Sequence, residues 1–198
     1  MAETRSAKVI VISGPAGSGK TTLCDRLLAE KPDQVARVVT STTRQPRPGE
    51  QHGIDYYYFP SEEFLAKVLA GDFYEHAQVH TNRYGTLKSE VDDKLAAGTD
   101  VLLNIDVQGA ATWRQVAAES PELRGRLVTI FINITPEQMR ERMLGRGDSD
   151  EQDIARRLET AKQETARASE FDHTIDSTDK ESDYQTLCAI YERIKRSA

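Results

Sequence analysis

The feature that most constrains this chain is a run of eight residues, Gly14-Pro15-Ala16-Gly17-Ser18-Gly19-Lys20-Thr21, set between an apolar stretch, Val9–Ser13, and a helical one, Lys20–Glu30. It is a complete GxxxxGK[ST] phosphate loop in the context such a loop requires, after a strand and before a helix. The glycines permit backbone angles that turn successive N–H groups toward one anion, and the helix N-terminus adds partial positive charge. In the ATP-binding run Gly14–Thr22, Lys20 is expected to hold the β- and γ-phosphates of the nucleotide, and Thr21 to ligate Mg²⁺. The motif specifies a nucleoside triphosphate and leaves the reaction open.

Four apolar runs read as buried strands, Val9–Ser13, Val35–Thr40, Val101–Ile105 and Leu127–Asn133, with a weaker fifth at His173–Ile175. Helical stretches separate them: Lys20–Glu30, Gln108–Glu119, one opened by Thr135-Pro136-Glu137-Gln138, one opened by Ser149-Asp150-Glu151-Gln152, and a terminal Asp179–Ile194. Thr135 is placed to cap, Pro136 suits the first helical position, and Gln138 completes a capping box. The helix after Ser149 carries Ile154, Leu158, Ala161, Thr165 and Ala168 along one stripe. Strands alternating with helices predict an α/β fold, a parallel sheet of the P-loop NTPase type flanked by helices. Two stretches break that rhythm. Thr42–Tyr84, rich in Tyr, Gly and Pro with one helix near Ser61–Leu69, predicts a small α+β lobe inserted into a core of residues 7–41 and 85–198. Gly145–Asp150, polar and flanked by glycine, predicts a short lid.

At 198 residues one domain accommodates these parts, and a net charge of −6 argues against a general nucleic-acid binder. No apolar run approaches a membrane span. Cys24 and Cys188 stand far apart without a partner motif, which argues against a disulfide scaffold or zinc site and for a reducing cytoplasm.

The acceptor is encoded further along. In Thr40-Ser41-Thr42-Thr43-Arg44-Gln45-Pro46-Arg47-Pro48-Gly49-Glu50, Arg44 and Arg47 lie three apart on a chain stiffened by Pro46 and Pro48. Taken alone they are either surface charges or a clamp for a phosphate dianion, and the stiff loop favours the clamp. Tyr56, inside Tyr56-Tyr57-Tyr58-Phe59, reads alone as strand core or as a phenolic donor. Glu75 reads alone as a solvated carboxylate. His76 and His80 have the spacing of a helical metal pair but sit in extended alternation, so no metal is expected there.

Taken together, GPAGSGKTT, TSTTRQPRPGE, GIDYYYF, FYEHAQV, RYGT, LNIDVQGA and RMLGRG, in this order and spacing, closely resemble the guanylate kinase family over most of the chain, from Val9 to Ala168. The resemblance implies transfer of the γ-phosphoryl group of ATP to GMP, and to dGMP, with Mg²⁺ as cofactor, in the service of GMP recycling and GTP supply. It implies that Arg44, Arg47, Tyr56 and Tyr84 bind the GMP phosphate. Glu75 would accept from guanine N1–H and the 2-amino group, with Asp106 supporting the 2-amino group and Thr40 and Thr86 offering hydroxyls to O6. Adenine lacks both donors, so AMP would leave a buried carboxylate unpaired. Arg142 and Arg146, one helical turn apart, and Arg157 beyond the lid would close on the charge between donor and acceptor. Lys20, Arg44, Arg142, Arg146 and Arg157 are thus the expected catalytic cations.

Two places depart from the family pattern. Asn104 in Leu103-Asn104-Ile105-Asp106 stands where a carboxylate is usual near the metal or its waters. Ile175-Asp176-Ser177-Thr178-Asp179 replaces a usual Asn-Asp pair near the adenine, so Asp176 or Ser177 is expected to take over that contact. Two rivals are another P-loop small-molecule kinase and a non-catalytic guanylate-kinase-like module that grips phosphorylated proteins. The first does not explain Glu75 with Asp106, and the second does not explain an intact phosphate loop. The expected partners are the two nucleotides alone, with no nucleic acid or membrane, for a cytoplasmic monomer or small homo-oligomer.

Overall fold

The computed structural model describes residues 6–79, 81–144 and 151–196. β1 (Val9–Ser13) is buried along its whole length, and its side chains alternate between two cores. Val9 and Val11 pack on one face with Val101, Leu103, Trp113 and Phe131, while Ile10 and Ile12 pack on the other with Leu27, Ile130, Leu187 and Tyr191. A strand apolar on both faces belongs in the middle of a parallel sheet, and β1 stands there. It is flanked by β7 (Asp100–Asn104) and β8 (Leu127–Asn133), with β2 (Val35–Arg37) and β9 (His173–Asp176) at the edges, in the order β2-β7-β1-β8-β9, all parallel. Each fully buried aliphatic side chain contributes roughly 1.5–3 kcal/mol.

The helices cover both faces. α1 (Lys20–Glu30) and α7 (Lys180–Arg196) bury Leu23, Leu27, Leu187 and Ile190 on one side, and α3 (Lys88–Ala96) and α4 (Val107–Glu119) bury Val91, Leu95 and Trp113 on the other. α3 is not foreseen from the sequence. It reads as polar because it inserts only Glu90, Val91 and Leu95. The capping box that opens α5 (Pro136–Leu144) forms as expected: Thr135 N–H donates to Gln138 Oε1 at 3.0 Å, and Gln138 N–H donates to Thr135 Oγ1 at 3.2 Å. The matching cap expected at Ser149-Asp150 lies outside the described residues. α6 (Glu151–Thr165) packs Ile154, Leu158 and Ala161 against Met139 and Met143 of α5. Among the described residues no helix is long and apolar enough to cross a membrane.

The expected strand Val35–Thr40 divides. Val38 N–H still donates to Leu102 O at 3.3 Å, but Val39 N–H donates to the Glu90 carboxylate at 2.9 Å instead of a strand carbonyl. The side chain takes the place of the ladder, and the chain leaves the first sheet there. It re-enters as β3 (Ser41–Thr42) in a second sheet ordered β4-β3-β6-β5, with β4 (Tyr57–Tyr58), β5 (Phe73–Val79) and β6 (Asn82–Leu87). α2 (Ser61–Ala70) covers it with Phe64, which stacks on Phe73 at 4.6 Å.

Candidate active site

The core half of the site lies where β1, β7 and β8 end. The chain turns out of β1 at Gly14, where φ is 140° and a Cβ would stand 2.4 Å from Ile132 O, so only glycine fits. The loop closes with Ser18 N–H donating to Pro15 O at 3.1 Å, and Gly19, with φ 98°, leads into α1. The first N–H groups of α1 have no helical acceptor, so loop and helix together form an anion cradle. Ala16 and Thr22 are exposed on it. Lys20 Nζ folds over the loop and donates to the carbonyl oxygens of Gly14 and Pro15, the latter at 2.9 Å. Burial lowers its pKa below the usual lysine value, while the carboxylates of Glu164 and Asp106 act in the opposite sense.

Thr21 Oγ1 accepts from Asn104 Nδ2 at 3.1 Å. The departure at position 104 therefore touches the hydroxyl expected to meet the metal. Asp106 caps α4, its Oδ1 accepting from Gly109 N–H at 2.7 Å, which fixes the carboxylate at the strand ends. Arg142 of α5 lies against the phosphate loop, with Nη1 donating to Ser18 O at 3.2 Å and Nη2 to Ser177 Oγ at 2.9 Å. Arg157, exposed on α6, lines a hollow of about 320 Å³ with Ala16 and Glu164. Burial pushes the Glu164 carboxyl up, and nearby Asp106 adds to the rise. Arg146 and the expected lid, Gly145–Asp150, lie outside the described residues.

The other half belongs to the second sheet. Glu75 pairs with Thr86 across β5 and β6, and Ala77 pairs with Tyr84. Alternation along β6 puts Tyr84 and Thr86 on one face, and the cross-strand pairing adds Glu75 to it. Thr86 Oγ1 donates to Glu75 Oε1 at 2.7 Å, and Thr86 is 1% exposed. Burial raises the Glu75 pKa above its ordinary value, and the Thr86 bond only partly opposes this. Gly85 lets the strands meet this closely, since a Cβ there would stand 2.9 Å from Glu75 O. Thr40 sits at the crossing between sheets, its carbonyl accepting from Tyr57 N–H at 3.0 Å. It shares with Tyr56, Asn104 and Ile105 a cleft of about 190 Å³.

At the outer end Arg44 lies over the Tyr56 ring at 5.4 Å, and the Tyr56 and Tyr84 rings are 6.2 Å apart. Glu50 sets this cluster. It accepts from Arg44 Nη2 at 3.0 Å, from Arg47 N–H at 2.7 Å and from Tyr58 Oη at 2.8 Å. The Arg44 guanidinium holds the Glu50 carboxyl down at about 2. The Arg47 side chain is exposed. Cation, phenols and a partly buried hydrogen-bond acceptor thus lie on the second sheet, and its cleft with Thr40 and Tyr56 reaches Asn104, which touches Thr21 of the phosphate loop.

The family model for guanylate kinase matches residues 6–193. The chain belongs to the guanylate kinase family. It is 44% identical over 176 residues to the guanylate kinase of Bifidobacterium longum, with 87% of each chain covered. It is 40% identical over 195 residues to that of Hahella chejuensis, covering 96% of this chain and 89% of that one. The crystal structure of guanylate kinase from Anaplasma phagocytophilum matches with a TM-score of 0.67 at 28% identity, covering 96% of this chain and 87% of that one.

Three carboxylates near the candidate site were not foreseen from the sequence. Glu50 stood inside the arginine loop, and its offset of three from Arg47 is the spacing of a side chain that closes its own turn. Glu90 accepts from Val39 N–H and from Tyr57 Oη, both at 2.9 Å, and pairs with Lys94. In sequence Glu90 and Lys94 are an ordinary i,i+4 surface pair, so nothing marked Glu90 as buried. Glu164 carries no motif at all.

Proposed function

We propose that the chain transfers the γ-phosphoryl group of ATP to GMP, releasing ADP and GDP, with the residues described above in their expected roles. The observation that carries the acceptor's identity is Glu75. It is a carboxylate withdrawn from water, steadied by Thr86 on one oxygen, on the same sheet face as Tyr84 and its Arg44 neighbour. Guanine offers N1–H and a 2-amino group to such a carboxylate; adenine offers neither. In this reading Thr40, Thr86, Glu75 and Asp106 hold the base, and Arg44, Arg47, Tyr56 and Tyr84 hold the phosphate. These residues read base and phosphate, so dGMP is expected as an acceptor as well.

A phosphate oxygen of GMP is already an anionic nucleophile, so positioning and charge stabilisation suffice and no general base is assigned. Lys20 and the loop N–H groups hold the donor phosphates, and Arg142, Arg157 and Arg146 offset the charge that builds between donor and acceptor. Thr21 Oγ1 is an exposed hard oxygen at the end of the cradle, which fits Mg²⁺, an ion that takes one or two protein oxygens and keeps waters and phosphate oxygens. Among the described residues no group of three His, Cys, Asp or Glu is placed to hold a metal without the nucleotide. When bound, Mg²⁺ neutralises phosphate charge. The second sheet with α2 is proposed as the GMP lobe. A cytoplasmic location is proposed from the free thiols of Cys24 and Cys188.

The test is product stoichiometry by ³¹P NMR with ATP, GMP and Mg²⁺. One ADP and one GDP should form per GMP consumed. Binding of both nucleotides without GDP, or release of inorganic phosphate in its place, would overturn the reading.

A further inference from the structure

Beside the phosphate loop opens a cavity of about 550 Å³, walled by Gly17–Gly19, Thr22 and Leu23 on one side and by Asp179, Lys180 and Asp183 on the other, with Arg142 between. That volume falls within the range of small-molecule sites. Behind it runs a chain of three side chains. Asp183 and Ser177 are each 5% exposed. Ser177 Oγ donates to Asp183 Oδ2 at 2.5 Å and accepts from Arg142 Nη2 at 2.9 Å. Thr178 N–H donates to Asp183 Oδ1 at 2.8 Å. Arg142 Nη1 in turn donates to Ser18 O at 3.2 Å.

The polarity of this chain is fixed by chemistry. Arginine only donates, so Ser177 Oγ must accept from it. The hydroxyl has one proton, and that proton goes to the carboxylate. The backbone of Ser177 is itself pinned: its N–H donates to Asn133 O at 2.8 Å, and its carbonyl accepts from Gln138 Nε2 at 2.9 Å. The hydroxyl therefore cannot drift to meet the arginine; the arginine is held where the hydroxyl stands.

We propose that Asp183, acting through the Ser177 hydroxyl, is a positioning residue that holds the Arg142 guanidinium against the phosphate loop and so sets the affinity for the donor nucleotide. This rests on Arg142 being a donor-site cation. Without the carboxylate, the serine proton loses its acceptor and the guanidinium loses a fixed lone pair. Arg142 is then free to swing off Ser18 into the cavity. Asparagine is a poor substitute: with its carbonyl on Thr178 N–H its amide can only donate to Ser177 Oγ, and the serine proton that held the hydroxyl's orientation toward Arg142 loses its acceptor.

The experiment is a double-mutant cycle read by equilibrium binding of a non-hydrolysable ATP analogue and by steady-state kinetics. Asp183→Asn and, separately, Ser177→Ala should each weaken analogue binding and raise the ATP KM by about ten-fold, with the GMP KM changed less than about two-fold. In an Arg142→Ala background the same two substitutions should change analogue binding by less than about two-fold. Unchanged binding in either single variant overturns the proposal. So does an equal loss in both backgrounds, which would mean that Asp183 touches the nucleotide itself or supports only the fold. If Asp183→Asn does not fold, Ser177→Ala decides alone, since it removes the hydroxyl and leaves the carboxylate with Thr178. If Arg142→Ala alone leaves donor binding intact, it is the reading of Arg142 that fails, and the cycle shows this separately.

Discussion

Replacing Glu75 by Gln separates recognition from stability. The carboxylate is partly buried, and one oxygen accepts from Thr86 Oγ1 at 2.7 Å. Glutamine keeps an acceptor for Thr86 but presents an amide donor where guanine also donates. Hydrogen bonds to a charged group are each worth about 1.5–3 kcal/mol, so losing one such bond and weakening a second costs about 3–4 kcal/mol. At about 1.4 kcal/mol per decade, kcat/KM for GMP should fall about 10²- to 10³-fold, with ATP binding nearly unchanged. Stability should move the other way. Burial raises the folded-state pKa of Glu75 above its ordinary 4.5, so in the window between the two the folded state binds more protons than the unfolded one. Stability then falls as pH rises through that window, and the full cost of the buried charge is present above it. Neutral glutamine lacks that cost, so at about pH 7.5 Tm should be unchanged or higher. Glu75 adds to the acid limb of kcat/KM for GMP in the wild type, and that part of the limb should be lost in the variant. The assay is a pH series of GMP kinetics beside a thermal melt. A drop in Tm that accompanies the loss of GMP use would mean that Glu75 serves the Thr86 contact rather than the base.

Three further outcomes follow from neighbouring observations. Asn104→Asp removes the amide that donates to Thr21 Oγ1, leaving the threonine to donate and its lone pairs to face a cation; half-maximal Mg²⁺, by rate and by ATP-analogue binding, should fall several-fold with the GMP KM unmoved, and identical titrations would sever position 104 from the metal. Lys20→Ala should keep its fold, read by circular dichroism, and lose about 10²-fold or more in kcat, so near-normal turnover would remove Lys20 from the mechanism. Asp100→Asn breaks a fully buried acceptor of Lys8 N–H at 2.8 Å, Tyr191 Oη at 2.7 Å and Lys195 Nζ at 2.9 Å, far from the cleft. It should cost about 3 kcal/mol, or about 6–12 °C in Tm, with GMP kinetics at 25 °C held, and a shift within about 2 °C would refute it.

Much of the fold was legible because its strongest elements are specified locally. β1 and β8 fall on their predicted bounds, Val9–Ser13 and Leu127–Asn133, since a strand buried on both faces is a continuous apolar run. α1 starts at Lys20 because the loop glycines admit no earlier start, and the Thr135 capping box forms from residues four positions long in sequence. What the sequence could not supply was interaction at a distance. Val35–Thr40 looks like one strand, and only Glu90, 51 residues away from Val39, ends it. The same holds at the site. Motifs mark Lys20, Arg44 and Glu75 as candidates, but a motif does not say that Glu50 holds the arginine loop or that Arg142 rests on Ser177 and the loop carbonyls. Those supporting contacts are made by common residue types whose meaning comes from burial, and burial is a property of the assembled chain.

In the proposed function this chain phosphorylates GMP and the partly buried Glu75 carboxylate reads guanine. The most direct test is the ratio of kcat/KM for GMP to that for AMP, measured with one enzyme preparation at saturating ATP and Mg²⁺. A ratio of about 10³ or more is expected, since AMP leaves Glu75 without donors. Comparable turnover of the two nucleotides would contradict it.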